Sequence, residues 1–358
     1  MPEKKLLTEI DSKIIYSLRF ILSILVVVMH CKWIGKDVAI DFNASEEQWM
    51  GLYSFSKILF GFCESGVVPL FLFFSSLLFF YSERPYLSSL KNKARCLLVP
   101  YFIWLFIGVV FRYARGINML DYSFRNWATF LFGFPASDGG LFHPYLGQFW
   151  YIRDLFLICL ISPLIKLCIQ KLPFAYFFFA CLYYVSGLPL CYEWGESLIF
   201  FGAGYFCYSR NITFEKFLKI RLFDLLVVYV FLLVVEMLYI FKLEFQPRYL
   251  DLTGCFVSGI ILLHVGHSLC RSEKVFSFMK KMSAYSFWIF CVHYPFGVFV
   301  AKKVSASVCP LNPVGMFLCY LLTVIVAVSL SVFSGMALKK IFPGMFNLMT
   351  GKKLDRCR

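Results

Sequence analysis

Ten apolar stretches of this chain read as candidate membrane-spanning helices, the third and sixth of them short, and that limits its fold more than any other feature. A bilayer interior about 30 Å thick takes about 20 apolar residues of helix to span. No water reaches the backbone there, so only helices and closed barrels satisfy their own peptide groups. Continuous runs without a two-residue alternation specify helices. The runs cover residues 14–34, 52–81, 97–110, 149–168, 174–190, 197–208, 222–241, 252–269, 284–300 and 313–338. Hydrophobic residues make up 60% of the 358 and charged residues only 16%, which excludes an ordinary soluble globule. The fold class is therefore all-α: a polytopic integral membrane protein of about ten transmembrane helices. With no internal repeat and no Ser/Gly-rich linker, residues 1–358 read as one domain, and too few residues follow Leu338 for an appended soluble one.

A net charge of +14 raises nucleic acid as a partner, but that needs a basic face on a soluble domain. The placement of the charge points to orientation in the membrane instead. With the N-terminus inside, the inner loops carry Lys4, Lys5 and Lys13; Arg84, Lys91, Lys93 and Arg95; Lys166 and Lys171; Arg210, Lys216, Lys219 and Arg221; then Arg271, Lys274, Lys280, Lys281 and a basic tail. These loops hold more than twice the Lys and Arg of the outer ones, so the positive-inside rule predicts both termini cytoplasmic. The first run is too long, and too charged within, for a cleaved signal peptide. Most of the 14 cysteines, among them Cys159, Cys181, Cys291 and Cys319, lie in apolar runs and read as small hydrophobes. No Cys or His cluster has zinc spacing, so no metal site is expected, and His264 and His267 read as core or cavity histidines.

The run 14–34 contains Arg19 and, eleven residues later, His30. On a helix that step is about 16 Å of axis and close to three whole turns, so both side chains share one face. Ionisable groups within a span are costly unless they face a protein interior or a wet cavity, and such a pair marks a functional pathway. Snorkelling of the two side chains to opposite headgroup layers is the alternative.

Arg, ten residues, then His in the first membrane helix resembles the acyltransferase 3 family of integral membrane acyltransferases. Four further stretches carry the resemblance along the chain. Gly66-Val-Val-Pro69-Leu-Phe-Leu-Phe-Phe-Ser75-Ser76 is similar to the family's V-P-x-F-F-x-x-S-G, with Ser76 in place of the final Gly. Lys91-Asn-Lys-Ala-Arg95 followed by Pro100-Tyr101 and Trp104 resembles its basic cluster and P-Y-x-x-W. The segment from Gln148 and Trp150 through Arg153 and Asp154 to Ser162-Pro163-Leu-Ile resembles its L-W-F-L-x-x-L and S-P-L-I. Ser283 to Pro295 resembles S-x-x-S-F-x-I-Y-x-x-H-x-P, with Phe290 at the usual Tyr and His293 at the His.

The resemblance implies transfer of an acyl group, most often acetyl, from cytoplasmic acyl-CoA to a hydroxyl of a surface polysaccharide or its lipid-linked precursor, in a bacterial cytoplasmic membrane. No permanently bound cofactor is expected; acetyl-CoA or another acyl-CoA is the donor substrate, and the bilayer and a carbohydrate or lipid-linked glycan are the other partners. A sugar hydroxyl needs a base near neutral pKa to attack a thioester, and histidine supplies one. His30 is the candidate base and Arg19 the anchor for the donor's phosphate or pantetheine end. Glu64 can orient the imidazole, although a carboxylate at the outer interface accounts for it more simply. Lys91 and Arg95 are candidates for the donor's phosphates, while positive-inside anchoring produces the same loop. Trp150, Arg153, Asp154 and His293 are assigned to the acceptor side, with a structural ion pair as the other reading of Arg153 and Asp154. Between Phe111 and Gln148 the outer loop mixes aromatic residues with Asp121 and Asp138, a composition that suits sugar rings or an interfacial belt alike.

A multi-span transporter or flippase of a sugar or lipid-linked sugar is the main alternative, and it requires paired discontinuous helices in repeated halves. A polytopic glycosyltransferase is a third reading, thinly supported by the few acids of the outer loop. The charge tally carries its own test. Cysteine-accessibility labelling should place Met1, Lys91, Arg210, Lys280 and Arg358 inside and Asp138 and Phe245 outside; termini on opposite sides would contradict it.

Overall fold

The computed structural model describes residues 7–31, 45–82, 84–114, 116, 123–133, 144–187, 192–243 and 248–352; the side chains of residues 46, 49, 50, 52–60, 62–64, 192, 193, 240–243 and 295 are not among those described. Every regular element among them is helical. In chain order they are α1 (Glu9–His30), α2 (Glu46–Tyr81), α3 (Tyr86–Lys93), a π-helical turn (Ala94–Leu98), α4 (Val99–Ala114), α5 (Phe124–Phe132), a 3₁₀ turn (Gly147–Phe149), α6 (Trp150–Leu160), α7 (Ser162–Lys171), α8 (Pro173–Ser186) and α9 (Tyr192–Ser209). There follow α10 (Phe214–Leu218), α11 (Leu222–Leu243), α12 (Arg248–Cys270), α13 (Glu273–Ser283), α14 (Ser286–Val292), a second π turn (His293–Gly297), α15 (Val298–Val308), α16 (Pro313–Ile341) and α17 (Pro343–Met349).

Five helical stretches among the described residues are long and apolar enough to cross a membrane: Glu9–His30, Tyr86–Ala114, Leu222–Tyr239, Arg248–Cys270 and Pro313–Ile341. They contain or overlap the predicted runs 14–34, 97–110, 222–241, 252–269 and 313–338. The run 52–81 lies within α2, and 174–190 shortens to α8, which ends at Gly187 in the left-handed conformation. Two runs that the sequence suggests as single helices are broken. The run 149–168 divides at Ile161 into α6 and α7, because Pro163 lacks an N–H and its ring crowds the carbonyl four residues back. The run 284–300 breaks at Tyr294, whose φ of −129° and ψ of 138° are extended. Proline disfavours helical conformation in the residue before it, and Pro295 follows directly. Pro100 has a milder effect, since the π turn Ala94–Leu98 absorbs its misfit without ending the helix.

α1 is central and packs against α2, α12, α13 and α14. Thr8 caps it by accepting the Asp11 N–H at 3.1 Å, and the buried Asp11 carboxylate accepts the Phe214 N–H at 3.1 Å, tying α1 to α10. α11 sits at the edge, with Phe223, Val230, Phe231 and Val234 exposed. That apolar surface suits lipid, which covers a helix without requiring a polar outer face.

Glycine sets the closest helix contacts. A Cβ on Gly204 of α9 would lie 2.6 Å from the Ser76 Cβ and 2.7 Å from the Phe73 carbonyl of α2. This explains why serine is accepted at position 76: Gly204 yields the room, and the buried Ser76 hydroxyl donates to the Phe201 carbonyl at 2.6 Å. Gly204→Val should therefore force α2 and α9 apart at a cost of about 1–3 kcal/mol, read as a lower melting temperature in detergent. Gly259→Ala, with nothing within 4 Å of the new Cβ, should leave it unchanged or slightly raised.

A candidate functional site around paired histidines

His30 forms the last turn of α1, and the imidazole it meets belongs to His293, at the break between α14 and α15. Their ring centroids are 5.0 Å apart, and the Tyr294 ring lies 5.2 Å from that of His30. The residues are far apart in sequence, and the break at Tyr294-Pro295 turns them towards one another.

His293 is fully buried. Its Nδ1 lies 3.0 Å from the Ile289 carbonyl and 2.8 Å from that of Phe290, and carbonyls only accept, so Nδ1 carries the proton. Nε2 then bears the lone pair; it is buried and has no hydrogen-bond partner. Cys291 is four residues before Pro295, and its carbonyl is the one that a helical Pro295 would have needed to satisfy. Gln148, on the 3₁₀ turn before α6, supplies the missing donor: its Nε2 lies 3.4 Å from the Cys291 carbonyl and also donates to the Tyr294 carbonyl. Gln148 is buried and was not singled out as a site residue from the sequence. The signal for it was Pro295, which guarantees an orphaned carbonyl in a membrane helix.

Arg19 is half-buried on α1. Its guanidinium lies 5.3 Å from the Tyr16 ring centroid, and no acid pairs with it among the described residues. The Tyr151 side chain is a further neighbour of the guanidinium. The Tyr151 hydroxyl lies 3.3 Å from that of Ser75, so α1, α2 and α6 meet here. From Tyr151 a line of rings runs to the paired histidines: Tyr151 to Phe290 at 5.9 Å, Phe290 to His293 at 6.1 Å, then His30. Arg19 and His30 are thus two ends of one packed aromatic seam.

The other predicted site residues are placed differently. Arg153 Nε donates to Asp154 Oδ1 at 2.6 Å and Arg153 Nη1 donates to the Phe132 carbonyl, so the two neighbours pair with each other and tie α6 to α5. Trp150 is half-buried at the start of α6. Lys91 and Arg95 are exposed on α3 and the first π turn. Glu64 belongs to α2, but its side chain lies outside the described residues, as do Asp121 and Asp138. Between α5 and α6, Tyr145 stacks on Phe130 at 4.8 Å, and the Arg112 guanidinium sits 5.0 Å from the Tyr145 centroid.

A half-open cavity of about 540 Å³ lies between the end of α2 and the starts of α3 and α7. Arg84 and Lys166 line it beside Tyr86, Gln170, Tyr205 and Tyr208, with no acid among the described lining residues. Lys91 and Arg95 do not line it. Outside the spans, burial lowers the Lys302 ammonium below its usual range, with Cys31 and Cys319 partly opposing that.

Residues 13–332 match the acyltransferase 3 family, described as an acyltransferase domain. The succinoglycan biosynthesis protein ExoH of Rhizobium meliloti (strain 1021) is 26% identical over 290 residues, which cover 76% of this chain and 74% of that protein. No solved structure matches.

Removing half of the Arg153–Asp154 pair should destabilise the fold, since it leaves a poorly hydrated charge uncompensated. Asp154→Ala is expected to lower the melting temperature and the yield of folded protein. A variant that melts like the wild type would contradict the structural role.

Proposed function

This chain belongs to the acyltransferase 3 family, and on that footing we propose that it transfers an acyl group, acetyl in the first instance, from cytoplasmic acyl-CoA to a hydroxyl of a surface polysaccharide or its lipid-linked precursor. The family match over residues 13–332 and the helices long enough to cross a membrane support an integral-membrane acyltransferase. The relative named for succinoglycan biosynthesis supports a polysaccharide acceptor. The observation that carries the chemistry is the packing of His30 against His293 at one end of a seam whose other end holds Arg19.

In this reading the chain spans the membrane ten times with both termini inside, and Arg19 lies nearer the cytoplasm than His30. His30, the more exposed of the two histidines, takes the proton of the acceptor hydroxyl as its oxygen attacks the thioester carbonyl. Arg19 has no acid beside it among the described residues, so its charge is available to the donor's phosphate or pantetheine end. The helical rise of about 16 Å between them suits an extended arm joining anchor and reaction centre. At the basic end, Arg84 and Lys166 in the cavity, with Lys91 and Arg95 nearby in sequence, offer charge to the donor's phosphates. Trp150 and Tyr294 offer aromatic faces to a sugar ring, while the Arg153–Asp154 pair joins α6 to α5.

The decisive experiment uses purified protein in detergent, with no gradient, supplied with acetyl-CoA and a glycan acceptor. Acceptor-dependent release of free CoA is the expected result. Gradient-driven accumulation of unmodified sugar in vesicles would favour transport. Within an active preparation, His30→Ala should retain acyl-CoA binding while lowering kcat by about 10²-fold or more. Arg19→Ala should show first as a raised KM for acyl-CoA, and Arg19→Lys should rescue it only in part, because an ammonium lacks the bidentate fork. Near-full turnover by His30→Ala would overturn the assignment.

A further inference from the structure

We propose that His293 is a positioning residue for His30, holding a ring N–H of His30 on its Nε2 lone pair, and that Gln148 keeps it in that role by securing the broken end of α14. The inference rests on the acyl-transfer reading and assigns separate tasks to the two histidines.

Three observations carry it. The tautomer of His293 is fixed by the Ile289 and Phe290 carbonyls, so Nε2 can only accept. That nitrogen is buried without a partner, and an orphaned buried acceptor calls for a functional account. The His30 ring lies alongside, with its centroid 5.0 Å from that of His293 at a tilt of 46°; among the described residues no hydrogen bond reaches Nε2 in this structure, and one forms when the His30 ring turns to aim an N–H at it. Burial decides which ring meets the acceptor. His293 is fully enclosed, whereas His30 is partly open, so His30 faces the substrate with His293 behind it.

Gln148 makes the arrangement durable. Its amide bonds the carbonyls of Cys291 and Tyr294 on either side of His293, so the backbone that sets the imidazole is held through the break. During transfer, the acceptor O–H proton passes to the outward nitrogen of His30 as its oxygen bonds to the thioester carbon. The C–S bond breaks, and the departing thiolate recovers the proton from His30 to leave as free CoA. While His30 is an imidazolium, its inward N–H is shared with His293 Nε2, as an orienting partner does for a catalytic base.

The titratable groups around the pair are Tyr294 beside His30, Cys31 at the end of α1, Lys302 on α15 and Cys319 on α16. Glu64 belongs to the neighbouring α2, with its side chain outside the described residues. Because His293 stabilises protonated His30, removing its lone pair withdraws that stabilisation. The acid limb of the kcat/KM profile then moves to lower pH.

The test measures kcat, KM and pH profiles for the full-length protein in detergent with acetyl-CoA and its acceptor. His293→Phe should lower kcat by about tenfold or more, leave KM for acetyl-CoA unchanged, and shift the acid limb downwards. His293→Gln, whose side-chain oxygen can accept from His30, should restore part of both effects. Gln148→Leu should move them in the same direction by less. If His293→Phe does not accumulate, His293→Gln and Gln148→Leu decide the matter: acid limbs identical to the wild type overturn the proposal. A fall in kcat with an unmoved pH profile also overturns it, as a purely structural effect. Absence of transfer by the wild type rejects the acyl-transfer reading itself, and this inference with it.

Discussion

Inside a bilayer a broken helix has no water to satisfy the carbonyls it releases, and the arrangement of this protein follows from how those carbonyls are met. The break at Tyr294-Pro295 frees the Cys291 and Tyr294 carbonyls, which Gln148 takes up. The Ile289 and Phe290 carbonyls turn to the His293 ring. One proline therefore recruits a glutamine from another segment and turns the chain where His293 meets His30. A straight helix here would have kept its carbonyls to itself and carried His293 elsewhere.

The same economy of space governs the frame. Gly204 allows α9 to approach α2 closely enough for Ser76 to bond the Phe201 carbonyl, and Gly66 lies so close to Ser258 of α12 that a Cβ would fall 2.7 Å from its Oγ. Membrane helices gain little from burying apolar area against one another, since lipid is equally apolar. Close packing and hydrogen bonds must hold them instead. The indole of Trp104 donates to the Met349 carbonyl at 3.2 Å and that of Trp288 to the Ser334 hydroxyl at 3.1 Å, fastening α17 to α4 and α16 to α14, the helix that leads into the histidine break.

Charge is distributed by the same logic. Arg153 is neutralised by its neighbour Asp154 and serves the join between α5 and α6. Arg19 rests against Tyr16 with no acid beside it among the described residues, and so keeps its charge for a substrate in the proposed mechanism.

The sequence by itself determined the helical class, the membrane as solvent and the family, because apolar run length and motif spacing are local properties that survive without knowledge of packing. It also singled out Arg19 and His30, since an eleven-residue step has only one helical geometry, and it marked His293 through the motif ending at Pro295. Only the tertiary structure decided what these residues touch. That His293 meets His30, that Gln148 completes a broken helix from another segment, and that Arg153 pairs with Asp154 while reaching the Phe132 carbonyl all depend on contacts between elements distant in sequence or on rotamers set by them. The breaks at Ile161 and Tyr294 stand between these levels: Pro163 and Pro295 were visible in the chain, but whether a proline kinks, bulges or ends a helix is settled by which neighbouring side chains satisfy the backbone it frees.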